Sequence, residues 1–398
     1  MRIYKLGIVF ILVSIVSNLY AQSNDSSSSF NILFTYSDVP GYDPSFKPNR
    51  LYNISAEGET SLFYEDETAH LVRALAWSPS GNLLIVLKAS ADNPTKANIC
   101  ILTSMGVMLR CMVDSATSHP LGATSYQELY LTSWSSDETS IYYVTQSEDN
   151  RRLVEADINT GNIRRIIYEY SYELPNDINN VRPMDISWNP NATFILTSVG
   201  EHLTLGDMPT LILTETQAEV PISSILGEAD SSTAGYVEYI CPRLSPANQL
   251  IAVIISQPNG SDKLLVLDSN LDIVAVVDDF PFHGQWKLEC PFWSYDESVL
   301  YMVGTEVSTI IYNRYLIGFK GNWQRLDAVQ SLPDGVHLDT IQLSPNGQYI
   351  TYIASRPALQ VYVLDILQQR EYQITDNAGY GYYPIWQWQI NGQDVSRQ

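Results

Sequence analysis

A short pattern that recurs along the chain constrains its fold more than any other feature of the sequence. In the clearest copy, residues 71–87, an alternating apolar run ends at Trp77, a Ser-Pro-Ser-Gly turn follows, and a second apolar run begins. The pattern occurs seven times, at spacings of about 43 to 57 residues, and a period of this length suits four short strands with their loops. We call the residue that ends the first run of each copy its landmark, and the landmarks are Trp77, Trp134, Trp188, Leu244, Trp293, Leu343 and Trp386, the last in a degenerate copy.

The two ends of the chain each contain part of one further unit. Residues 31–36, 50–55 and 61–64 match the second, third and fourth strands of a unit that lacks its first strand, and residues 382–389 match a first strand without followers. Pairing the two ends would remove the open sheet edges. We therefore predict an all-β fold, a seven-bladed β-propeller of four-stranded antiparallel blades closed by the N- and C-terminal strands in one blade. Six blades is the alternative if the terminal segments do not pair.

Alternation and turn residues locate the strands best in the second, fourth and sixth copies. The predicted strands are 128–134, 140–145, 153–157 and 163–168, then 237–244, 249–256, 263–268 and 273–278, and finally 338–343, 348–354, 360–365 and 371–375. A landmark tryptophan offers a large flat surface that fills the wedge between neighbouring blades. Proline in the turn fixes φ, and glycine or asparagine tolerates positive φ. The motif therefore predicts packing and turns rather than a binding site.

The Trp-Ser-Pro-x-Gly punctuation followed by an apolar strand is clearest at residues 77–81, 188–190 and 343–347. On these residues the chain resembles TolB-like propellers and the propeller domains of prolyl-oligopeptidase-type peptidases, over about residues 30–389. The resemblance implies a β-propeller. The chain departs from the family pattern by having leucine at two landmarks and Ser136 or Tyr295 in place of the proline.

The sequence carries no signature of a catalytic or cofactor site. A peptidase propeller would accompany a hydrolase domain with a Gly-x-Ser-x-Gly nucleophile elbow, and the chain has neither that string nor room for a second domain. The five histidines lack metal-ligand spacing. Residues 268–272 offer oxygen ligands for calcium, but hairpin turns favour aspartate and asparagine for backbone reasons. We predict no catalytic residue, no metal site and no cofactor.

Charge and the N-terminus restrict the partners and the compartment. The chain has 22 Lys and Arg against 44 Asp and Glu, and a net charge of -22 argues against nucleic acid as a partner. Arg2 and Lys5 precede an apolar run over residues 6–16 and a small-residue site ending at Ala21, which predicts a signal peptide at 1–21, with an uncleaved anchor as the alternative. Residues 22–29 would be a polar spacer and 30–398 a single propeller domain. We expect a secreted protein, extracellular or periplasmic, without a membrane span after signal cleavage.

The four cysteines are expected to be oxidised in part, because export favours disulfides. Cys100 and Cys111 flank a predicted hairpin centred on Met105-Gly106, so we predict a disulfide between them. Cys241 and Cys290 occupy equivalent positions in successive copies. Equivalent positions point the same way around a ring, so a second disulfide and two buried free thiols both remain open for this pair.

The long connections are where specificity is expected, since a rigid ring presents its loops on two flat faces. They span residues 114–127, 169–181, 216–236 and 279–286. Aromatic and polar side chains on such loops suit recognition of a protein or sugar surface, although packing of the loops onto the blade ends is the alternative. The candidate ligand-binding residues are Tyr126, Tyr170, Tyr172, Asp177, Tyr236, Trp286, Tyr380 and Tyr382.

These observations favour an exported, non-catalytic propeller that acts as a protein- or glycan-binding or scaffold module. The alternative is an extracellular hydrolase or lyase with a site at the mouth of the central channel, and a third hypothesis is a structural part of a larger envelope or extracellular assembly. Inward polar groups with strongly shifted pKa values would mark the enzyme. A large apolar patch on one face would mark the assembly.

Overall fold

The described part of the chain consists of β-strands and turns. The computed structural model describes residues 30–38, 47–54, 60–90, 96–112, 117–118, 132–146, 150–171, 185–188, 194–198, 210–213, 218–221, 238–245, 250–256, 262–268, 272–277, 285–288, 291–294, 299–307, 312–320, 323–325, 330–344, 347–356, 358–375 and 380–388. The predicted signal peptide and spacer lie outside these ranges. Among the described residues, no helix has the length and hydropathy that a bilayer span requires.

The first strands belong to the blade that closes the ring and to blade 1. They are β1 Phe30–Ser37, β2 Arg50–Ile54 and β3 Thr60–Glu65, followed by β4 Ala69–Trp77, β5 Leu83–Ser90, β6 Lys96–Thr103, β7 Met108–Cys111 and β8 Thr117–Ser118 of blade 1. Blade 2 contains β9 Thr132–Trp134, β10 Ser140–Gln146, β11 Asn150–Asp157 and β12 Ile163–Ser171. Blade 3 contains β13 Asp185–Trp188, β14 Phe194–Ser198, β15 Thr210–Leu213 and β16 Ala218–Pro221.

The remaining strands complete blades 4 to 7. Blade 4 contains β17 Glu238–Leu244, β18 Leu250–Ser256, β19 Asp262–Asp268 and β20 Ile273–Val277. Blade 5 contains β21 Gln285–Leu288, β22 Phe292–Trp293, β23 Val299–Val307, β24 Tyr312–Lys320, β25 Gln324–Arg325 and β26 Gln330–Ser331. Blade 6 contains β27 Val336–Leu343, β28 Tyr349–Ser355, β29 Leu359–Asp365 and β30 Arg370–Gln373, and blade 7 adds β31 Tyr380–Trp388 to β1, β2 and β3.

The described strands form seven separate antiparallel sheets, one for each repeat. In blade 7 the strand order is β3-β2-β1-β31, so the two ends of the chain share one sheet as predicted. The pairing aligns Ile32 with Trp386 and Asn31 with Gln387, and the Asn31 amide donates to the Gln387 side chain at 3.3 Å. The prediction of an all-β propeller is therefore confirmed.

The second strand of blade 1, β5, is covered by neighbouring blades on both of its faces, which accounts for its unbroken apolar sequence. Residues Leu84 to Leu87 of β5 are all buried. Ile85 and Leu87 pack in a cluster with residues of blade 2, whereas Leu84 and Val86 pack with residues of blade 7. Because successive side chains of a strand point to opposite faces, a strand covered on both faces requires apolar residues throughout. Blade 1 is thereby held by its two neighbours.

The same arrangement recurs around the ring. Five apolar clusters each join two neighbouring blades, namely 1 and 2, 4 and 5, 5 and 6, 7 and 1, and 6 and 7. Strand β13 contacts β17 and so connects blades 3 and 4. The core of the protein is therefore a series of layers between blades rather than one central cluster.

The predicted hairpin disulfide is confirmed. Cys100 and Cys111 are directly opposed in β6 and β7, their Cα atoms are 3.9 Å apart, and their sulfurs are bonded. Gly106 in the turn between these strands has φ +74°, and a Cβ there would clash with the Phe63 carbonyl oxygen of blade 7. The hairpin tip therefore packs directly on the neighbouring blade. Cys290 lies outside the described residues.

Candidate functional site

The ring has two unlike faces, which we name by their connections. The turn face contains the landmarks, where the inner strands end, and the motif turns that follow them. On the loop face, opposite, the inner strands begin and the outer strands end, because the four strands of a blade alternate in direction.

On the turn face, landmark tryptophans bond successive blades together. In three blades the indole N–H donates to the backbone carbonyl of the residue just before the landmark of the preceding blade. These bonds run from Trp134 Nε1 to the Ala76 oxygen at 3.2 Å, from Trp293 Nε1 to the Arg243 oxygen at 3.3 Å, and from Trp386 Nε1 to the Gln342 oxygen at 3.2 Å. The tryptophans thus fill the wedge, as predicted, and also satisfy their own buried donors.

The serine after the landmark is the second structural group of the turn face. In five turns its Oγ accepts the backbone N–H five residues later, and its own N–H donates to the carbonyl of that residue. The five buried serines are Ser78, Ser135, Ser245, Ser294 and Ser344, with Oγ to nitrogen distances from 2.9 to 3.2 Å. Each of these turns is therefore closed by two hydrogen bonds to the serine, one to its backbone N–H and one to its hydroxyl oxygen.

Neighbouring turns also contact one another. Glu138 in the blade 2 turn has a backbone φ of 56°. Its carboxylate accepts hydrogen bonds from both the backbone N–H and the hydroxyl of Ser80 in the blade 1 turn. A Cβ at the equivalent Gly347 of blade 6 would lie 3.4 Å from the Ser294 Cβ of blade 5. The turn face is consequently a continuous structural surface wherever it is described.

The loop-face residues predicted to bind a ligand fall into three groups. Tyr126, Tyr172, Asp177 and Tyr236 lie outside the described residues. Trp286 and Tyr380 lie near the beginnings of the inner strands β21 and β31, around the channel mouth, whereas Tyr170 lies near the end of the outer strand β12 at the rim. Trp286 and Tyr380 therefore lie at similar positions on the inner strands of blades 5 and 7, whereas Tyr170 lies on the outer strand of blade 2.

Tyr382 was expected to contribute an accessible side chain to the binding surface, but this side chain is only 7% exposed. It lies within β31, opposite Thr35 of β1, so it belongs to the packed interior of blade 7. We leave Tyr382 out of the binding surface for this reason.

A polar cluster that the sequence did not suggest lies on blade 6. Arg356, just after β28 on the loop face, extends across the sheet and its Nη1 donates to both Glu371 carboxylate oxygens at 2.9 and 2.7 Å. The guanidinium lies 4.9 Å from the centre of the Tyr362 ring. Tyr352 also donates to Glu371, and burial, reinforced by this carboxylate, raises the pKa of Tyr352 far above its ordinary value. A phenol held neutral in this way supports packing and is a poor general base.

Beside this cluster, His337 and Ser355 form a hydrogen bond on the loop face. His337 Nε2 and Ser355 Oγ are 2.9 Å apart and exposed. A serine paired with an imidazole is the minimal arrangement for nucleophilic catalysis, which also requires a group that orients the imidazole and donors for an oxyanion. The sequence signal was weak, because the two residues are on different strands.

The described residues include no arrangement that suits a metal ion. Within the described ranges, no group of three or more His, Cys, Asp and Glu side chains is placed to hold a metal ion. The Asp268 carboxylate accepts the backbone N–H of Asp272 at 2.9 Å, which is the turn role that the sequence suggested for this hairpin.

Comparison with known proteins shows the fold and little more. No protein-family model matches the sequence, and no curated protein matches it. Among solved structures, oligogalacturonate lyase from Vibrio parahaemolyticus is 11% identical over 87% of this chain and 86% of that chain, with a TM-score of 0.54. Periplasmic gluconolactonase from Pseudomonas aeruginosa is 12% identical over 90% and 99% of the two chains, with a TM-score of 0.53. TolB from Acinetobacter baumannii is 12% identical over 95% of this chain and 71% of that chain, with a TM-score of 0.46.

The similarities to the lyase and the lactonase, with TM-scores of 0.54 and 0.53, agree with the β-propeller at the level of fold. Two of the three structures carry the names of enzymes, a lyase and a lactonase. At 11 and 12% identity the shared fold does not transfer a reaction to this chain. The choice between binding and catalysis therefore depends on the chain's own residues.

Proposed function

We propose that this chain is an exported, non-catalytic β-propeller that binds a protein or a glycan through its loop face. Export to an extracellular or periplasmic compartment is supported by the N-terminal pattern and by the Cys100–Cys111 disulfide, because such bonds persist in oxidising compartments.

The observation that carries the proposal is the structural difference between the two faces of the ring. Five serines and three tryptophans of the described turns are engaged in hydrogen bonds within and between blades. In the sequence, long connections join outer strands to the next inner strands, and the described ends of these strands are on the loop face. A rigid ring with one structural face and one face of long loops is the usual arrangement of a recognition scaffold.

The proposed contact residues are aromatic or acidic. They are Tyr126, Tyr170, Tyr172, Asp177, Tyr236, Trp286 and Tyr380. Tyrosine and tryptophan supply large contact areas at low entropic cost, and aromatic faces suit both protein and sugar surfaces. The formal net charge of -22 favours a neutral or basic partner and disfavours nucleic acid.

The test uses the mature chain, residues 22–398, as bait in its native medium and on a glycan array. Trp286→Ala and Tyr380→Ala, which alter the channel mouth, are expected to weaken capture of the recovered ligand by roughly tenfold or more. Met105→Ala is the matched control, since Met105 is 83% exposed but lies on the turn between β6 and β7, at the opposite face. Equal losses in all three variants, or no ligand from either source, would contradict the proposal.

A second candidate function is supported by the His337–Ser355 hydrogen bond on the same face. This pair would serve a hydrolase in which the serine oxygen attacks an ester, lactone or peptide carbonyl while the imidazole accepts the hydroxyl proton. The imidazole would return this proton to the leaving alcohol or amine as its bond to the carbonyl carbon breaks, and water would then hydrolyse the acyl-serine. The mature chain should then turn over a substrate library, and Ser355→Ala and His337→Gln should each abolish turnover. Turnover with this loss would replace the non-catalytic proposal by the enzymatic one, and its absence would leave binding as the function.

A further inference from the structure

The disulfide of blade 1 joins an exposed cysteine to a buried one. Cys111 of β7 is exposed, whereas Cys100, directly opposite it in β6, is 0% exposed. Cys100 packs in the apolar cluster between blades 7 and 1, together with Val86 and Leu102. A disulfide is cleaved when a thiolate attacks one of its sulfurs, and access decides which sulfur is attacked. An incoming thiolate therefore reaches this bond from the Cys111 side.

Strand β7, which the disulfide ties to the sheet, has few other backbone attachments. It is four residues long, and apart from the cysteines two pairs hold it in register with β6. They are Ile101 with Arg110 and Leu102 with Met108, with a register shift between them. No described strand pairs with the outer edge of β7, and β8 pairs with β6 instead. A short edge strand of this kind opens readily once its cross-link is removed.

The hairpin that ends in β7 is also a contact between blades 1 and 7. Met108 packs against the apolar cluster between these blades, and the turn at Gly106 lies directly on the backbone of Phe63. This junction is where the ring closes. Release of β7 would therefore uncover apolar surface at the junction, while the pairing of β1 with β31 that closes the ring remains intact.

We propose that Cys111 is a site of thiol–disulfide exchange with a dithiol reductant, and that this exchange frees β7 while the ring stays closed. One thiolate of the reductant bonds to the Cys111 sulfur, the bond to Cys100 breaks, and its electron pair passes to the Cys100 sulfur, which takes up a proton. The second thiolate of the reductant then attacks the reductant's own sulfur in the mixed disulfide. The reductant is thereby oxidised to a disulfide, and Cys111 leaves as a thiol. The proposal does not depend on ligand binding at the loop face.

The buried cysteine determines which reductants succeed. After the first step the Cys100 thiol remains beside the mixed disulfide on Cys111, so it attacks that disulfide intramolecularly and re-forms the original bond. With a monothiol, a second molecule must arrive before this reversal, whereas a dithiol already carries its second sulfur at the site. Dithiol oxidoreductases operate in the compartments of exported proteins. A dithiol protein, rather than a small monothiol, is therefore the expected reactant.

The first experiment identifies the sulfur that is attacked. The probe is a thioredoxin-fold dithiol protein, and a form of it with serine in place of its second active-site cysteine traps the mixed disulfide. After acid quenching, we expect peptide mass spectrometry to find the adduct on Cys111 of the mature chain at least roughly tenfold more often than on Cys100. The intact dithiol protein should reduce the bond in native buffer, and faster than glutathione at the same thiol concentration. An adduct on Cys100 at equal or higher yield, equal reduction by glutathione, or reduction only where urea unfolds the chain would overturn the proposal.

The second experiment measures the release of β7 by amide hydrogen exchange. On reduction we expect exchange over residues 103–111 to rise by about tenfold or more and exchange over residues 84–87 of β5 to stay unchanged. Cys111→Ser, or Cys111→Ala if the serine variant does not fold, should show the reduced pattern without reductant. Leu109→Ser is the matched control, because Leu109 is an exposed residue of the same strand and the disulfide stays intact. Faster exchange in both segments would show that the whole sheet opens, and no change in either would show that the disulfide does not hold β7, so each result would contradict the proposal.

Discussion

At the scale of single residues, the serine of the motif explains more of the turn than its proline or glycine. Blade 2 has Ser136 and Glu138 at the proline and glycine positions, yet it closes the same turn, with the Ser135 N–H donating to the Ser140 carbonyl at 3.0 Å. The sequence contained this signal, because serine follows five of the seven landmarks even where the proline is replaced. The backbone preferences of proline and glycine alone do not predict this side-chain bond.

Replacing Ser344 by alanine tests this role. The hydroxyl oxygen is 2.9 Å from the buried N–H of Tyr349, which would lose its acceptor. We expect Ser344→Ala to lower the free energy of unfolding by about 1–3 kcal/mol, the cost of a buried unsatisfied donor. Urea denaturation followed by circular dichroism measures the change.

Ser61→Ala is the control for the loss of a hydroxyl, since Ser61 is exposed in the outer strand β3. It should change the free energy of unfolding by less than about 0.5 kcal/mol. Similar values for the two variants would show that the Ser344 hydroxyl does not stabilise the turn.

At the scale of elements, strands were predictable wherever alternation and turns agreed. The prediction of 140–145 corresponds to Ser140–Gln146, and 360–365 corresponds to Leu359–Asp365. The inner strand of blade 5 is divided into β21 and β22, with Pro291 between them. Proline cannot donate to a sheet, but Pro242 at the equivalent place in blade 4 produces only a register shift within β17. Local sequence does not decide between a shift and a break, because the neighbouring blades contribute.

The bonds between blades allow a comparison of two tryptophans. Trp134 Nε1 donates to the Ala76 carbonyl, whereas Trp77 Nε1 is buried without a hydrogen-bond partner among the described residues. Phenylalanine at either position removes a similar area of ring, but only Trp134→Phe breaks a bond. We expect Trp134→Phe to destabilise the protein by about 1 kcal/mol more than Trp77→Phe.

Thermal and urea unfolding of the two variants measure this difference. Trp77→Phe also removes an unsatisfied donor, and this gain partly offsets its loss of packing. A larger destabilisation by Trp77→Phe would contradict the assignment of an inter-blade bond to Trp134.

At the scale of the whole molecule, closure of the ring followed from the sequence, but the binding surface did not. Closure was predictable because three strands at one end and one strand at the other complete each other. Residue type and loop position predicted the binding residues, but they do not reveal burial. The side chain of Tyr382, which lies opposite Thr35 in the sheet of blade 7, is buried. The sequence also does not predict the Arg356–Glu371 ion pair, because its two residues are fifteen positions apart and meet only across the strands of blade 6.

The junction between blades 7 and 1, where the ring closes, depends on Asp66. Its carboxylate forms an ion pair with Lys88 of blade 1 and accepts hydrogen bonds from Thr68 and, at 3.2 Å, from Tyr64 of blade 7. Burial alone would raise the pKa of Asp66, but the bonds from Lys88 and Thr68 outweigh it and lower the pKa to about 2. Thr35 Oγ1 adds a bond to the Val72 carbonyl at 3.0 Å across the same junction.

We expect Asp66→Asn to lower the free energy of unfolding by about 2 kcal/mol at neutral pH, which corresponds to the shift from 3.8 to about 2. Because folding lowers this pKa, the contribution is present above about pH 4 and is lost as the pH falls through about 2. Urea titrations of both proteins from pH 7 downward should therefore converge at the acid end. The Arg164 hydrogen bond also lowers the pKa of Asp157 in blade 2 to about 2, but Arg164 is exposed and solvent screens the pair, so Asp157→Asn should cost less. A gap between wild type and Asp66→Asn that stays constant with pH would show that the charge of Asp66 does not hold the ring closed.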